Sequence, residues 1–187
     1  MLNKIHIALR LLILPLKEID RAIPKKGLII DLGCGEGVVA LYLSKKLNRQ
    51  VIGIDVNKKR LPKSTQKNLI FRNADITKMS FEKISGAVLS DVLHHLILKD
   101  QHKLLKKIFK NLNKNGVLII KEIDTSEFIR SKLSRVWDYI LYPQDKITFT
   151  NYKYLKQILT KTGFTVKITR PCRYFPGSTT LYVCTKK

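Results

Sequence analysis

The chain has 187 residues, of which 44% are hydrophobic and 27% are charged, and its formal net charge is +22. This length is typical of one domain that buries its core without disulfides or metals, and Cys34, Cys172 and Cys184 show no metal-ligand spacing. A disulfide framework is therefore not expected, whereas a reducing, cytoplasmic setting is. The positive charge favours polyanions such as RNA, although the basic residues are spread evenly along the chain.

Residues 1–23 are predicted to form a helix that ends before Pro24, because proline cannot continue it. Its apolar run over residues 9–16 is interrupted by Arg10 and Pro15, and no small-residue cleavage site follows. The run is also too short to span a bilayer. We therefore expect a helix packed on the domain, with a membrane-surface anchor as the alternative, and no stable membrane insertion.

Strands and helices alternate regularly through the next hundred residues. Apolar runs predict strands over residues 28–32, 50–56, 69–74, 86–90 and 117–123. Between them we expect helices over residues 38–47, 58–66 (short or irregular because of Pro62) and 99–112, the last ending at a turn over residues 113–116. This alternation predicts a parallel sheet with helices on both faces.

The pattern changes after the fifth predicted strand. A helix, a loop and a second helix are expected over residues 126–142, 143–151 and 152–162. Residues 164–170 and 181–185 then form two strands, which we expect to pair as an antiparallel hairpin at an edge of the sheet.

A glycine turn follows the first strand. Gly33, Gly35 and Gly37 let the backbone turn sharply and let a ligand approach closely, at a strand-to-helix corner where nucleotide-like ligands bind in open α/β sheets. A dinucleotide fingerprint needs glycine at the first, third and sixth positions, and the sixth position here is Val38. A phosphate-binding P-loop is excluded because no Gly-Lys-Ser/Thr follows the turn.

Half of the 14 carboxylates lie at or just beyond the ends of apolar runs. They are Asp31, Glu36, Asp55, Asp75, Asp91, Glu122 and Asp124. In a parallel sheet these ends line the ligand crevice, so the pattern predicts a pocket for a ligand with cationic groups and ribose hydroxyls. Asp55 follows Gly33 by 22 residues, close to the ~20 expected for a ribose-binding acid on the next strand.

Six segments in a fixed order indicate a family. They are DLGCGEG (31–37), GIDVN (53–57), NADIT (73–77), SDVLHHL (90–96), NGVLIIKEID (115–124) and GFTVKITR (163–170). On these segments the chain resembles the class I S-adenosylmethionine (SAM)-dependent methyltransferases over residues 25–187. The resemblance implies a Rossmann-like, doubly wound α/β fold, a three-layer sandwich whose mostly parallel seven-stranded sheet carries an antiparallel C-terminal hairpin strand. It also implies SAM as cofactor and S-adenosylhomocysteine as product.

The resemblance implies a role for each motif. The glycine turn lies under the methionine part of the cofactor, Asp55 holds the two ribose hydroxyls, and Asp75 contacts the adenine amino group. The full set of implied cofactor-binding residues is Asp31, Gly33, Cys34, Gly35, Glu36, Gly37, Asp55, Val56, Asn57, Asp75, Ile76, Ser90, Asp91 and Val92. Structural alternatives are that Asp31 caps the strand end, that Asp75 starts a turn and that Glu36 caps the following helix, and we interpret Cys34 as a packing residue.

The expected reaction is an in-line displacement at the methyl carbon, for which alignment of the reactants is the main requirement. Candidate bases near the crevice are His95, His94 and Glu122, with Asp124 as a further candidate, and no catalytic residue is assigned. We expect one domain over residues 1–187, in which residues 125–151 form a substrate-covering insertion. Its aromatic residues either cover a small molecule or pack as a helix core: Trp137, Tyr139, Tyr142 and Phe149.

A small-molecule acceptor is the leading expectation. The fourth strand runs into Ser90-Asp91-Val92-Leu93 instead of an Asn-Pro-Pro-Tyr motif, which argues against methylation of DNA bases or glutamine amides. RNA is the second candidate because of the charge. A non-enzymatic alternative is a cofactor-binding or partner subunit that has lost its activity. The oligomeric state is left open.

Overall fold

The computed structural model describes residues 14–64, 66–123, 151–170 and 179–187. Within these ranges, the helices are α1 (Leu16–Ala22), α2 (Val38–Leu43), α3 (Leu98–Asn111) and α4 (Tyr152–Thr162). The strands are β1 (Gly27–Leu32), β2 (Arg49–Asp55), β3 (Leu69–Asn73), β4 (Ile84–Ser90), β5 (Leu112–Ile123), β6 (Thr165–Thr169) and β7 (Thr179–Thr185). The predicted helix over residues 126–142 and the predicted insertion lie outside the described residues, apart from Asn151 in the latter.

The seven strands form one sheet in the order β3-β2-β1-β4-β5-β7-β6. Neighbours from β3 through β5 pair in parallel, whereas β7 runs antiparallel to both β5 and β6. This confirms the predicted parallel sheet with an antiparallel C-terminal hairpin. Because the strand order reverses between β1 and β4, a crevice opens at their carboxyl ends, where ligands of such sheets bind.

Helices cover both faces of the sheet, which gives three layers. One core contains Ile19 of α1 and Leu43 of α2, and the other contains Leu105 of α3 and Leu159 of α4. The strands feed both cores because successive side chains point to opposite faces. In β5, for example, Leu118 and Ile120 face α3 and α4, while Val117 and Ile119 face α1 and α2.

The first described helix ends where the sequence predicts. Ile23 is the extended residue after α1, directly before Pro24. Residues 1–13 of the predicted helix lie outside the described part of the chain. Among the described residues, no helix combines the length and the apolar composition needed to cross a membrane.

Two predicted helices are shorter in the structure. The expected helix over residues 58–66 is reduced to a 3-10 turn at Lys58–Arg60, and Leu61 is extended because a residue before proline avoids the helical conformation. Helix α2 ends at Leu43 instead of residue 47. The side-chain amide of Asn68 donates to the Ser44 carbonyl (2.8 Å). In a longer helix, this carbonyl would accept from a backbone amide of the following turn.

Strand β5 begins five residues earlier than predicted. Leu112 is already extended and pairs with Ile84, and the next pair in register is Gly86 with Val117. The expected turn over residues 113–116 is therefore a bulge within the strand, where Asn115 has a left-handed backbone (φ +62°). The Asn115 amide donates to the Lys186 carbonyl (2.7 Å), so the chain's last residues close the bulge.

A buried arginine joins α1 to the start of β2. Arg49 is fully buried, and its guanidinium pairs with the Asp20 carboxylate and donates to the Pro24 carbonyl (2.9 Å). Burial by itself would raise the pKa of Asp20, but the hydrogen bond and positive charge of Arg49 outweigh it, so the pKa lies below its ordinary value. The pair therefore favours the folded state while Asp20 is ionised.

We expect acid to weaken this link. Because the folded-state pKa of Asp20 is lowered, its contribution is fully present above the unfolded pKa and is lost as the pH falls through the folded pKa. The free energy of unfolding, measured by urea denaturation, should fall less between pH 7 and pH 3 in Asp20→Asn than in the unmodified protein. An equal fall in both proteins would contradict the assignment.

Candidate functional site

The glycine turn connects β1 to α2 as predicted. Gly33, Gly35 and Gly37 all have left-handed backbones, with φ of +72°, +53° and +72°. The amides of Gly33 and Cys34 both donate to the carbonyl of Ile54 in β2 (2.7 and 2.9 Å). These two bonds hold the turn against the carboxyl end of the neighbouring strand.

The turn also packs closely on the segment that follows β4. A Cβ on Gly33 would lie 2.6 Å from Val92 Cγ2, well inside van der Waals contact. Val92 is itself buried. Only glycine fits at position 33, because it adopts the left-handed backbone readily and because any Cβ would clash with Val92.

Gly33→Ala should therefore disturb the turn. We expect a loss of about 1–3 kcal/mol in the free energy of unfolding, measured by urea denaturation. We also expect at least about tenfold weaker binding of SAM, the cofactor that the family resemblance implies, measured by calorimetry. The matched double variant Gly33→Ala/Val92→Ala removes the clash but not the unfavourable φ, so it should recover part of the loss. No recovery at all would show that the Val92 contact is unimportant.

Asp55 lies at the carboxyl end of β2 and faces the glycine turn. Its Oδ2 accepts a hydrogen bond from the Gly35 amide (2.7 Å), and its Oδ1 accepts one from the Asn57 amide (2.8 Å). The residue is buried, while the neighbouring Val56 is 73% exposed. A carboxylate oxygen has two lone-pair sites, so each oxygen of Asp55 can accept a further hydrogen bond besides its backbone partner.

Asn73 is a functional candidate that the sequence analysis did not single out. Its side-chain amide donates to the carbonyls of Asp55 (3.0 Å) and Val56 (2.8 Å). It therefore fixes the backbone that carries the Asp55 carboxylate. Asn73 belongs to the NADIT segment (73–77), in which the family resemblance implies a role for Asp75 alone.

Asp31 and Glu36 are both engaged by protein groups. Asp31 is buried and accepts from the Ala40 amide in the first turn of α2 (3.0 Å), in agreement with a capping role at the strand end. Glu36 forms a forked ion pair with Arg60, with Oε1 to Nε at 2.9 Å and Oε2 to Nη2 at 3.1 Å. The sequence analysis did not predict the Arg60 partner, and a cofactor contact for either acid stays a prediction.

Asp75 starts the turn after β3, which is the structural role predicted as the alternative to an adenine contact. Its Oδ1 accepts from both the hydroxyl (2.6 Å) and the amide (2.9 Å) of Thr77. These hydrogen bonds, the hydroxyl first, lower the pKa of Asp75 below its ordinary value. Ile76 is buried in the core beneath α3 and α4. An adenine contact for either residue stays a prediction.

The segment after β4 is held by neighbouring groups of β5. Ser90 is buried, and Asp91, whose backbone is left-handed (φ +57°), pairs with Lys121 Nζ (2.6 Å). Glu122 Oε1 accepts from the amides of Val92 (3.2 Å) and Leu93 (2.8 Å). These contacts fix the position of Val92 against the glycine turn.

Glu122 also binds a histidine of the same segment. Its Oε2 lies 2.6 Å from His94 Nδ1, and both side chains are buried. The Gln101 side chain, which the sequence analysis missed, donates to the carbonyls of Leu93 (2.9 Å) and Leu96 (3.0 Å). Glu122 therefore acts as a positioning residue for this segment. A base role for His94, His95 or Glu122 stays a prediction.

Cys34 behaves as the packing residue that the sequence predicts. The thiol is buried, and burial, together with the nearby Asp31 and Asp55 carboxylates, raises its pKa far above the ordinary value. It stays protonated and is a poor nucleophile at neutral pH. Within the described ranges, no three histidine, cysteine or acidic residues are placed to hold a metal ion.

The structure thus brings the glycine turn, Asp55 and Val92 together at one edge of the sheet, with Asp31, Asp75 and Glu122 at neighbouring strand ends. It also changes the expected electrostatics, because Glu36 is neutralised by Arg60 and Asp91 by Lys121. Asp124 and the four aromatic residues of the predicted insertion lie outside the described residues.

Comparisons with known proteins agree with this geometry. A carboxy-S-adenosyl-L-methionine synthase of Helicobacter pylori is 32% identical over 128 residues, which is 65% of this chain and 53% of that protein. The chain therefore spans about half the length of the curated relatives it matches.

Solved structures share the fold. A SAM-dependent methyltransferase from Archaeoglobus fulgidus matches with a TM-score of 0.73 at 15% identity, over 91% of both chains. Human N-acetylserotonin methyltransferase, solved in complex with SAM, matches with a TM-score of 0.71 at 17% identity, over 91% of this chain and 51% of that one. The family model for the methyltransferase domain matches residues 6–167, and the chain therefore belongs to the methyltransferase domain family.

Proposed function

We propose that the protein is an enzyme that binds SAM in the crevice at the carboxyl ends of β1, β2 and β4 and transfers its methyl group to a small-molecule acceptor. The observation that carries the proposal is the Asp55 carboxylate, which faces the glycine turn and keeps lone-pair sites for two ribose hydroxyls. Family membership and the SAM complex of the human structural neighbour support the same cofactor.

The proposed contacts follow the crevice from β1 to β3. The turn from Gly33 to Gly37 lies under the methionine part, Asp55 binds the ribose with Val56 and Asn57 beside it, and Asp75 with Ile76 meets the adenine. Ser90, Asp91 and Val92 complete the pocket.

Most backbone amides of the glycine turn are not available to the cofactor's carboxylate, which must therefore find other hydrogen-bond donors. The amides of Gly33, Cys34, Gly35 and Gly37 already donate to the Ile54 carbonyl, to Asp55 and to the Cys34 carbonyl. In the structure they hold the turn in shape.

The reaction needs alignment more than acid–base assistance. The acceptor's nucleophilic atom attacks the methyl carbon while the carbon–sulfur bond breaks. The electron pair of that bond stays on sulfur, which neutralises the sulfonium and gives S-adenosylhomocysteine. The proton of an oxygen or nitrogen acceptor passes to a base or to water. We propose His95 as this base in preference to His94, because His94 is buried against Glu122 whereas His95 is only half-buried.

The remaining parts of the proposal come from the sequence. We propose one domain over residues 1–187, with residues 125–151 covering the acceptor, and a cytoplasmic location. A second candidate is the formation of carboxy-SAM, favoured by the 32% identity to synthases of that name. RNA as acceptor, favoured by the charge of +22, is a third.

Calorimetric titration tests the proposal. We expect SAM and S-adenosylhomocysteine to bind with dissociation constants on the order of micromolar, and a nicotinamide dinucleotide not to bind. In assays supplied either with a methyl acceptor or with a carboxyl-donating co-substrate, mass spectrometry of the nucleoside products then separates methyl transfer, which yields S-adenosylhomocysteine, from carboxy-SAM formation. A folded protein that binds neither SAM nor its product would refute the proposal.

A further inference from the structure

The outward side of α3 carries a row of lysines. Its members are all exposed: Lys99, Lys103, Lys106 and Lys110. At 3.6 residues per turn and 1.5 Å per residue, they project within an arc of about 60° along about 16 Å of helix. The opposite side of the helix, with Leu104, Leu105 and Ile108, is buried in the core.

Helix α4 packs beside α3 and extends this basic surface. Lys153, Lys156 and Lys161 are exposed on it, and we call these seven lysines of α3 and α4 the lysine face. Along the whole of α3 and α4, which the structure describes completely, the only carboxylate is Asp100. On the other side of the sheet, the short helix α1 alone contains two, Glu18 and Asp20. Among the described residues, α3 and α4 themselves are therefore nearly free of acidic groups, while the loop that packs on α3 through Lys107 carries Asp75 and the exposed Glu82.

Two large apolar side chains stand at one end of the lysine face. Ile97 is 62% exposed and Leu98 is 41% exposed, at the start of α3. This end of α3 follows β4 and lies at the crevice edge of the sheet, close to His94 and His95. A basic helix face beside exposed aliphatic residues is typical of segments that lie on anionic membranes.

A nucleic-acid surface fits these helices less well. Surfaces that bind single strands present aromatic rings on which bases stack. The aromatic rings of α3 and α4 are those of His102, Phe109, Tyr152 and Tyr154, and all four are half-buried. The Tyr152 ring is in addition covered by the Arg170 guanidinium, 5.6 Å from its centroid.

We propose that the lysine face docks on an anionic phospholipid surface, with Ile97 and Leu98 at the boundary between headgroups and acyl chains. Each lysine close to an anionic leaflet strengthens binding roughly fivefold, so the four α3 lysines are enough for reversible attachment. The two aliphatic side chains add apolar burial that salt does not screen.

Docking in this orientation places the α3 side of the crevice at the membrane. An acceptor that is an amphiphile dissolved in the bilayer then reaches the crevice without crossing water. This consequence rests on the proposed function, whereas docking itself does not.

Co-sedimentation with vesicles tests the docking. The full chain, without SAM, is mixed with vesicles of equal parts phosphatidylglycerol and phosphatidylcholine, and with vesicles of phosphatidylcholine alone. Two quadruple variants lose the same charge: Lys→Gln at the four α3 positions, and the matched control Lys→Gln at exposed positions 17, 26, 45 and 46, away from α3 and α4. A third variant, Ile97→Ser, probes the apolar contact.

We expect binding to the anionic vesicles only. The α3 variant should lower the partition coefficient at least about tenfold, while the matched control should change it by less than about threefold. Ile97→Ser should weaken binding about threefold or more. The ratio between the partition coefficients of the unmodified protein and this variant should be the same at high salt, because an apolar contact is not screened. Circular dichroism and an unchanged midpoint of urea unfolding show that the variants keep their fold, and because the assay contains no SAM its result is independent of the proposed function.

Three outcomes would overturn the docking proposal. The first is an equal loss in the two quadruple variants, which would mean that only net charge matters. The second is no binding to anionic vesicles at low salt. The third is binding of a single-stranded RNA oligomer through the same four α3 lysines without binding to vesicles, which would assign the lysine face to nucleic acid.

Discussion

Asp55→Ala should abolish measurable SAM binding, or weaken it by at least about 100-fold. The carboxylate is proposed to accept two ribose hydroxyls, and hydrogen bonds to a charged group contribute about 1.5–3 kcal/mol each. Two such bonds correspond to about 3 kcal/mol or more, and each 1.4 kcal/mol is about tenfold in affinity. Calorimetric titration of the folded variant with S-adenosylhomocysteine measures the loss.

Two further variants make this result interpretable. Asp55→Ala also removes the partner of the Gly35 and Asn57 amides, so its unfolding must be measured alongside. Asp100→Asn removes one negative charge from the surface of α3 and should leave the affinity unchanged within about twofold. If Asp55→Ala binds as tightly as Asp100→Asn, the ribose assignment fails, and the proposed cofactor site fails with it.

The strands and the glycine turn were predictable because local patterns determine them. An apolar run between turn residues predicts a buried strand, and β2 was expected over residues 50–56 and forms at Arg49–Asp55. The turn needs left-handed backbone that glycine adopts readily, and Gly33 shows it at φ +72°. In both cases the deciding information lies within about ten residues of sequence.

The groups that hold the site in place were not predictable in the same way. Glu122 binds the amides of Val92 and Leu93 from about thirty positions away, a contact that exists only because β4 and β5 pair in one register. The Glu36 partner Arg60 likewise follows from the 3-10 turn that replaced an expected helix. The apolar runs predict that these acids lie at strand ends, but no local pattern determines which cation or amide each of them contacts.

This limit also explains the error in the expected electrostatics of the crevice. Counting acids at strand ends predicted a cluster of negative charge. The structure neutralises Glu36 with Arg60 and Asp91 with Lys121, and it occupies Asp75 with Thr77. Under the proposed function, selectivity for a cationic cofactor therefore depends on fewer carboxylates, which makes Asp55 more important than the count suggested.

Arg49→Met should reduce the free energy of unfolding by about 1–3 kcal/mol, because the fully buried guanidinium is the donor for several acceptors, among them the partly exposed Asp20 carboxylate. The change leaves the Asp20 carboxylate and the Pro24 carbonyl without their guanidinium donor. Urea denaturation measures the loss. The matched control is Arg72→Met, at an exposed arginine of β3, which should change the free energy of unfolding by less than about 0.5 kcal/mol.

A double variant tests the pairing itself. Arg49→Met/Asp20→Asn should lose less free energy of unfolding than the two single variants lose together, because the unpaired carboxylate is gone. Equal losses for Arg49→Met and Arg72→Met would show that the link between α1 and β2 does not stabilise the fold.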